Sequence, residues 1–540
     1  MPVKKLKIGI LLESYRLPAW SCIAIERVIK SSSNTIELVI LDKSTKRSSE
    51  GNSKKIYQLF NKLDEILFKK ATDYKIEKSI EHLLADIPTI ETEEQNFPKD
   101  VINSVSEKNI DILITLSSRD CRGEILDIPK YGIWAYQLGK HNFNRGKLVG
   151  FWEAMSKQPI TGIVLKTLPG KITQANILYQ SAAMTKAYKP ALSKQQYHYL
   201  AAGILSRQID LLSQYGEKKF FHHIKKYNSE FHFLSYPDFQ KPGNYTALCL
   251  FVKYIWNLAR LVFRRLFYYE HWYLFYNLKP KLSQTLHEFK KLLPPKDRFW
   301  ADPHIIFEKN TYYIFIEELM YNTKRGHISV IEMDDKGNCK DPVIILKKDY
   351  HLSYPFVFKY ENKYYMVPES LDNRTIMLYE CNSFPYQWEF KMNLMEDVDA
   401  ADSTLFFKDN KWWLFTAIED VKGASCGDEL FLFSSDELFS KNWTSHPLNP
   451  IVSDVRAARP AGKIFTKNGK IYRPSQDCSG RYGHDTNINE ITELSEQNYS
   501  ERKVAAITPN WDKEVLGTHT LNYEEQLTIV DAYYNRRRFF

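Results

Sequence analysis

The sequence predicts a multidomain chain: an α/β domain with a doubly wound sheet over 1–215, a helical connector over 216–298 and an all-β five-bladed propeller over 299–540. Three observations predict it. The first region alternates continuous apolar runs with stretches of helical spacing, the pattern of parallel strands covered on both faces. The last region repeats one hairpin unit roughly every fifty residues, the size of a four-stranded blade. At 540 residues, the chain is too long for a single core.

In the front region, Lys7 to Leu12, Ile36 to Leu41, Ile110 to Leu116, Tyr131 to Tyr136 and Thr161 to Lys166 read as strands. Ala19 to Ile29 and Lys55 to Lys70 carry helical spacing between them. No G-x-G-x-x-G follows the first strand, so a dinucleotide site has little support. The opening MPVKKLKIGILLESYRL is basic and then only briefly apolar. It reads as a buried strand rather than an export signal. Seven cysteines lie scattered, with no C-x-x-C pair, which points to a reducing compartment and no zinc site. The expected location is cytoplasmic, peripheral at the inner membrane face.

Just before the connector, Ser193 to Tyr215 is helical by pattern. Lys218 to Lys226 is basic and contains His222 and His223, with no carboxylate at ligand spacing. Tyr245 to Tyr269 is apolar and aromatic but interrupted by Lys253, Arg260, Arg264 and Arg265. Such a helix suits peripheral membrane contact through 245–269, cations meeting anionic headgroups. The alternative is a helix packed between two domains. A net charge of +9 is modest for this length, and no nucleic-acid partner is expected.

The propeller repeats are Ala301 to Glu318, Tyr354 to Ser370, Asp402 to Glu419, Arg459 to Asp477 and His519 to Asn535. Each is a strand, a tight turn around Asn or Gly, and an aromatic-rich second strand. Little chain follows the fifth repeat, so HWYLFYNL, His271 to Leu278, is expected to close the ring. Inner strands line a propeller channel. The residues opening each repeat, Asp302, Tyr354, Asp402, Arg459 and His519, are therefore expected to converge at one mouth. Glu317, Glu369, Asp477 and Asp531 join them from the second strands. Asp has low strand propensity and a buried carboxylate needs a partner, so a ring of them points to a site. Paired carboxylates are the minimum for glycosyl chemistry, one as base and one as acid. Asp302, Asp402 and Glu369 are the catalytic candidates. Trp300, Tyr354, Arg459, Asp477 and His519 are the substrate-binding candidates, with Trp412 and Trp413 as further sugar platforms or inter-blade packing. No metal or cofactor is expected.

Two resemblances extend this reading. The stretch from Tyr131 to Leu178 resembles the formyltransferase family, which includes methionyl-tRNA and sugar N-formyltransferases. That family uses an Asn and a His two residues apart and a later Asp. Here Trp134, Tyr136 and about Thr173 stand at those positions. The resemblance therefore implies a retained fold without its chemistry, and folate is not expected. His141 and Asn142 could replace the missing groups, and Lys140, His141, Asn144 and Arg145 could form a small anion site; the alternative is a solvated basic loop.

The propeller, through FWADP and YYIFIEE, is similar to five-bladed furanosidases, and Asp302 matches their base. Asp402 and Glu369 fill the tuning and acid roles by repeat geometry alone. Closer is the N-terminal domain of the plant glucosamine inositolphosphorylceramide transferases, through FWADP, HLSYPFVF, YMVPES, NSFPYQW, RPAG and QDCSGRYG. The plant proteins carry a separate glycosyltransferase domain after the propeller, for which no counterpart is expected here. The resemblance implies a transferase of glycan or glycolipid synthesis, such as surface polysaccharide assembly, acting on a carbohydrate or glycolipid. The alternatives are a glycoside hydrolase, a non-catalytic glycan-binding scaffold and a sugar N-formyltransferase.

Overall fold

The computed structural model describes residues 5–43, 55–93, 97–116, 121–138, 149–170, 177–230, 242–279, 286–509 and 512–539. The chain divides into two compact units: Met1–Leu258 with Val421–Ala424, and Ala259–Asp420 with Ser425–Phe540. The domain edge expected at 215 falls at a break between two helices within Pro190–Glu230, where Gly216 has a non-helical φ of 70°. A glycine takes that left-handed conformation without a steric penalty.

The first unit is built on a seven-stranded sheet. Leu6–Leu12 lies inside it, parallel to Asn34–Asp42 on one side and Ile112–Thr115 on the other. Thr89–Thr92 and Ile133–Leu138 extend the parallel part outward. Ile160–Thr167 and Ile177–Met184 add antiparallel strands at one edge. The chain leaves its first strand in both directions, which makes the sheet doubly wound, as expected. This architecture is compatible with the formyltransferase-like reading without singling it out.

Trp134 and Tyr136 serve packing in this unit. The Trp134 indole is fully buried, donates to the Tyr131 carbonyl and stacks on Phe220. The Tyr136 hydroxyl accepts from the Leu205 amide and donates to the Ala201 carbonyl. Burial raises its pKa, so the phenol stays neutral. The 140–145 loop and Thr173 lie outside the described residues.

The second unit carries five four-stranded sheets. Blade one runs Arg298–Glu308, Thr311–Met320, Arg325–Asp334 and Val343–Leu346. Blade two runs Ser353–Tyr360, Lys363–Glu369, Thr375–Ser383 and Gln387–Glu396. Blade three runs Ala400–Lys408, Lys411–Ile418, Leu430–Ser435 and Thr444–Ser445. Blade four runs Phe465–Lys467, Lys470–Asp477, Asp485–Leu494 and Tyr499–Ile507. Blade five takes Gly517–Glu524 and Leu527–Arg537 from the end of the chain. Its outer strands, Tyr268–Leu278 and Lys290–Leu292, come from before blade one. The strand around HWYLFYNL pairs along its whole length with Leu527–Arg537 and closes the ring.

The hairpin turns follow their residues. Lys309-Asn310, Glu361-Asn362, Asp409-Asn410 and Asn468-Gly469 all have positive φ at both positions. That is the turn whose twist matches a right-handed strand pair. Apolar layers fill the gaps between blades. Phe358 of blade two packs on Trp412 of blade three, and Leu274 and Ile529 of blade five pack with Trp300 and Ile314 of blade one. Trp413 lies in the next layer, with Phe415 and Ile464. Trp300, Trp412 and Trp413 are only 4–5% exposed. They are inter-blade packing, and the expectation of sugar platforms there is corrected: their faces are already covered.

Candidate functional site

The inner strands of blades one, two, three and five bulge at the same place, that of blade five between Thr518 and Leu521. In the first three, register shifts occur between Ala301 and His304, Ser353 and Phe356, and Ala401 and Thr404. Each of these three bulges carries a residue of positive φ: 50° at Asp302, 41° at Tyr354 and 52° at Asp402. For a residue as bulky as Tyr this is strained backbone, which persists only where surrounding contacts enforce it. A bulge re-aims a side chain and leaves its amide out of the ladder. Each freed amide is capped by a carboxylate of a neighbouring blade. Asp302 N–H donates to Asp531 Oδ2 at 2.9 Å, Tyr354 N–H to Asp302 Oδ2 at 3.2 Å, and Asp402 N–H to Glu369 Oε2 at 3.0 Å. Part of the acidic ring is thus explained by folding: it holds three strained turns in place.

The remaining polar atoms form two linked groups. In one, His519 lies between two carboxylates. Its Nδ1 makes an ion-pair contact with Asp531 Oδ2 at 2.5 Å and its Nε2 is 3.4 Å from Asp302 Oδ1. Thr520 Oγ1 donates to Asp302 Oδ1 at 2.7 Å. Burial pushes the Asp302 carboxyl up to about 6, against the pull of His519. The carboxylates of Asp531 and Asp302 raise the His519 pKa although its burial works the other way. A buried carboxyl pushed up to about 6 beside an imidazole can give or take a proton at working pH.

In the other group, Arg459 clamps two carboxylates. Its Nε is 2.6 Å from Asp402 Oδ2 and its Nη2 is 3.2 Å from Glu369 Oε2. Gln476 Nε2 donates to Asp402 Oδ2 at 2.8 Å. Burial, then the Glu369 charge, pushes Asp402 upward. Burial works to raise Glu369, but Arg459, the hydrogen bonds with Asp402 and the His351 charge together hold it below its ordinary value. One guanidinium faces two carboxyls, so the pair titrates as a unit rather than as two separate groups. The groups are one electrostatic system: Asp402 feels the Asp302 charge, and Tyr482 feels Asp302, Glu369 and Asp402 together.

Asp302, Tyr354, Glu369, Asp402, Arg459 and His519 are therefore linked in one cluster where the blades meet. Tyr354 is fully buried, its hydroxyl accepting from the Gly462 amide and paired with Thr404. Asp477 stands apart, capping the Ser479 amide in the turn that returns to Asp485. With His484 and Asp485 it forms one of two groups among the described residues whose ligand-type atoms lie within 4.8 Å; the other is Asp302, His519 and Asp531. In the second group, Asp531 already accepts from three backbone amides, those of Asp302, His519 and Thr520.

Sequence reasoning missed three residues here. The Tyr482 ring lies over the Arg459 guanidinium at 5.0 Å and edge-on to His519 at 5.3 Å, yet is 42% exposed. It is the aromatic face that the paired tryptophans are not. Trp272, from the closing strand, backs His519 at 4.1 Å between ring centres. His351 accepts from the Gly326 amide at Nδ1 and turns Nε2 to Glu317 at 3.3 Å. Tyr482 belongs to QDCSGRYG, a turn outside the strands that repeat matching aligned.

Fold and geometry define a five-bladed propeller whose blades meet at buried, interacting acids and bases beneath an exposed aromatic. Residues 292–522 match the family described as glucosamine inositolphosphorylceramide transferase 1, N-terminal. The chain is 36% identical over 206 residues to glucosamine inositolphosphorylceramide transferase 1 of Oryza sativa subsp. japonica, 38% of this chain and 27% of that protein. The protein of the same name from Arabidopsis thaliana is 32% identical over 209 residues, again 38% of this chain and 27% of the relative. The match thus spans about a quarter of these relatives' length.

Among solved structures, Zg3597, a family 117 glycoside hydrolase of Zobellia galactanivorans, aligns at 10% identity with a TM-score of 0.33. The alignment covers 49% of this chain and 90% of that one. The α-L-arabinofuranosidase PaAbf62A of Podospora anserina aligns at 9% identity and TM-score 0.34, covering 48% and 95%.

Proposed function

We propose that this chain is a transferase of glycan or glycolipid synthesis that binds its sugar at the propeller mouth. The observation that carries it is the pairing of Asp302 and His519 with the Glu369–Asp402–Arg459 clamp under one exposed ring, Tyr482. Similarity to relatives named glucosamine inositolphosphorylceramide transferase 1 supports a glycolipid as acceptor or product. In this reading Asp302, relayed through His519, takes the proton of the incoming hydroxyl. Arg459 orients Asp402 and Glu369 and meets the negative charge of a phosphate or carboxylate. Tyr482 gives the sugar an apolar face to stack on.

The test incubates the full chain with a panel of nucleotide sugars and phosphoinositol lipids and follows products by mass spectrometry. Asp302→Asn keeps the acceptor of the Tyr354 amide but cannot take a proton. Its product formation is expected to fall at least about a hundredfold, the usual size of a general-base contribution, with thermal unfolding near that of the parent. Unchanged output in Asp302→Asn would remove the propeller mouth as the place of chemistry. Release of free sugar from plain glycosides, with no acceptor needed, would favour hydrolysis instead.

A further inference from the structure

The helix Asn244–Phe267 has two different halves. In the first, Ala247, Leu250 and Tyr254 are buried at helical spacing against Tyr57, Phe60 and Phe151. The Tyr254 hydroxyl donates to Asp64 Oδ1 at 3.0 Å, and Asp64 Oδ2 accepts from the Ala191 amide. In the second half, from Ala259 to Phe267, every residue but Arg264 is exposed. Val262, Phe263, Leu266 and Phe267 all stand in solvent, as does Trp256, 70% exposed, one turn earlier. The helix contains Lys253, Arg260, Arg264 and Arg265 and no acidic residue.

The end of the chain adds to this surface. The Arg538 amide donates to the Phe267 carbonyl at 2.9 Å, its guanidinium stacks on Tyr269 at 4.3 Å, and exposed Phe539 meets the Phe267 ring. Arg536 and Arg537 pair across the sheet with Tyr269 and Tyr268. Two segments far apart in sequence, ARLVFRRLFYY and RRRFF, thus present one basic, aromatic patch.

We propose that this patch docks the protein on an anionic bilayer, lying in the interface with its aromatics at headgroup depth. An exposed apolar run is costly in water, and its occupant must match the arginines that interrupt it. Acidic headgroups do both: the acyl boundary takes Trp256, Val262, Phe263 and Leu266, and the phosphates take Arg260, Arg265 and Arg537. The helix is long and apolar enough to cross a membrane by length and composition. Its first half, however, is fixed to folded protein through Tyr254 and Asp64, so it lies on the surface rather than spanning it. This proposal does not depend on what the propeller mouth does.

The experiment is flotation of the full chain with vesicles of phosphatidylcholine alone or with about 30% phosphatidylglycerol. Binding is expected only to the anionic vesicles, with a blue shift of tryptophan emission, and is expected to be lost in high salt as the charges are screened. Arg260→Glu with Arg265→Glu is expected to weaken it at least about tenfold. These side chains are exposed, so thermal unfolding of that variant serves as its folding control. Equal binding to neutral vesicles, binding that survives high salt and alkaline carbonate as a spanning helix would, or no binding at all would each overturn the proposal. So would a stable dimer that the same variant dissociates.

Discussion

Arg459→Met tests the central electrostatic claim about the propeller. The guanidinium is 2.6 Å from Asp402 and 3.2 Å from Glu369, and all three side chains are nearly out of solvent, at 12%, 2% and 9% exposure. Methionine fills comparable volume but leaves two buried carboxyls without a cation. Breaking a buried ion pair by removing one partner costs about 3–5 kcal/mol, because a charge is left uncompensated. For a domain of this size each kcal/mol lowers Tm by about 2–4 °C, so the variant is expected to unfold roughly 6–20 °C lower at pH 7.5.

The pH dependence fixes the cause. Glu369, held low chiefly by Arg459, contributes stability above its unfolded pKa, and that contribution fades as pH falls through the lower folded value. In the variant the chief restraint is gone and burial raises both carboxyls, so acid lets them become neutral. The gap between parent and variant is therefore expected to narrow between pH 7.5 and 5, read by calorimetry of the full chain. A gap that is small at pH 7.5, or that does not change with pH, would refute the reasoning. The loss would then come from packing, or the clamp would not be buried as described.

Two further outcomes follow from the aromatic residues. Tyr482→Ala removes an exposed ring and should leave Tm within a few degrees while raising KM about fivefold, the size of a cation–π or stacking contact of about 1 kcal/mol. An unchanged KM in the transfer assay counts against a platform there. Trp300→Ala should cost about 3–5 kcal/mol in thermal unfolding, because it empties an inter-blade layer and strips a donor from buried Glu318. A stable Trp300→Ala protein with weakened sugar binding would restore the platform reading rejected above.

The legible part of this protein is its local chemistry. Asn-Gly-type turns between aromatic strands forced hairpins, and their even spacing forced blades. Even the closing strand could be read, because a repeat with too little chain after it must borrow from elsewhere. Apolar runs of six residues likewise marked the parallel strands of the first unit. That Asp302, Tyr354, Asp402 and Arg459 come together was legible for the same reason: equivalent positions in a ring meet at its axis.

Residues whose role depends on neighbours distant in sequence were not legible. Trp300 and Tyr482 are both aromatics near charged residues in the sequence. Only packing shows that the first is covered by blade five and the second is open over Arg459. Asp477 sits at a repeat position like Glu369, yet its turn leads it to Ser479 and Asp485 instead of the cluster. The pairing of ARLVFRRLFYY with RRRFF likewise joins segments that no local pattern relates. Periodicity determined which elements form, since burial follows the period of the strand or helix. Tertiary structure decided which polar groups face one another and which rings meet solvent, because both depend on distances that no single element fixes.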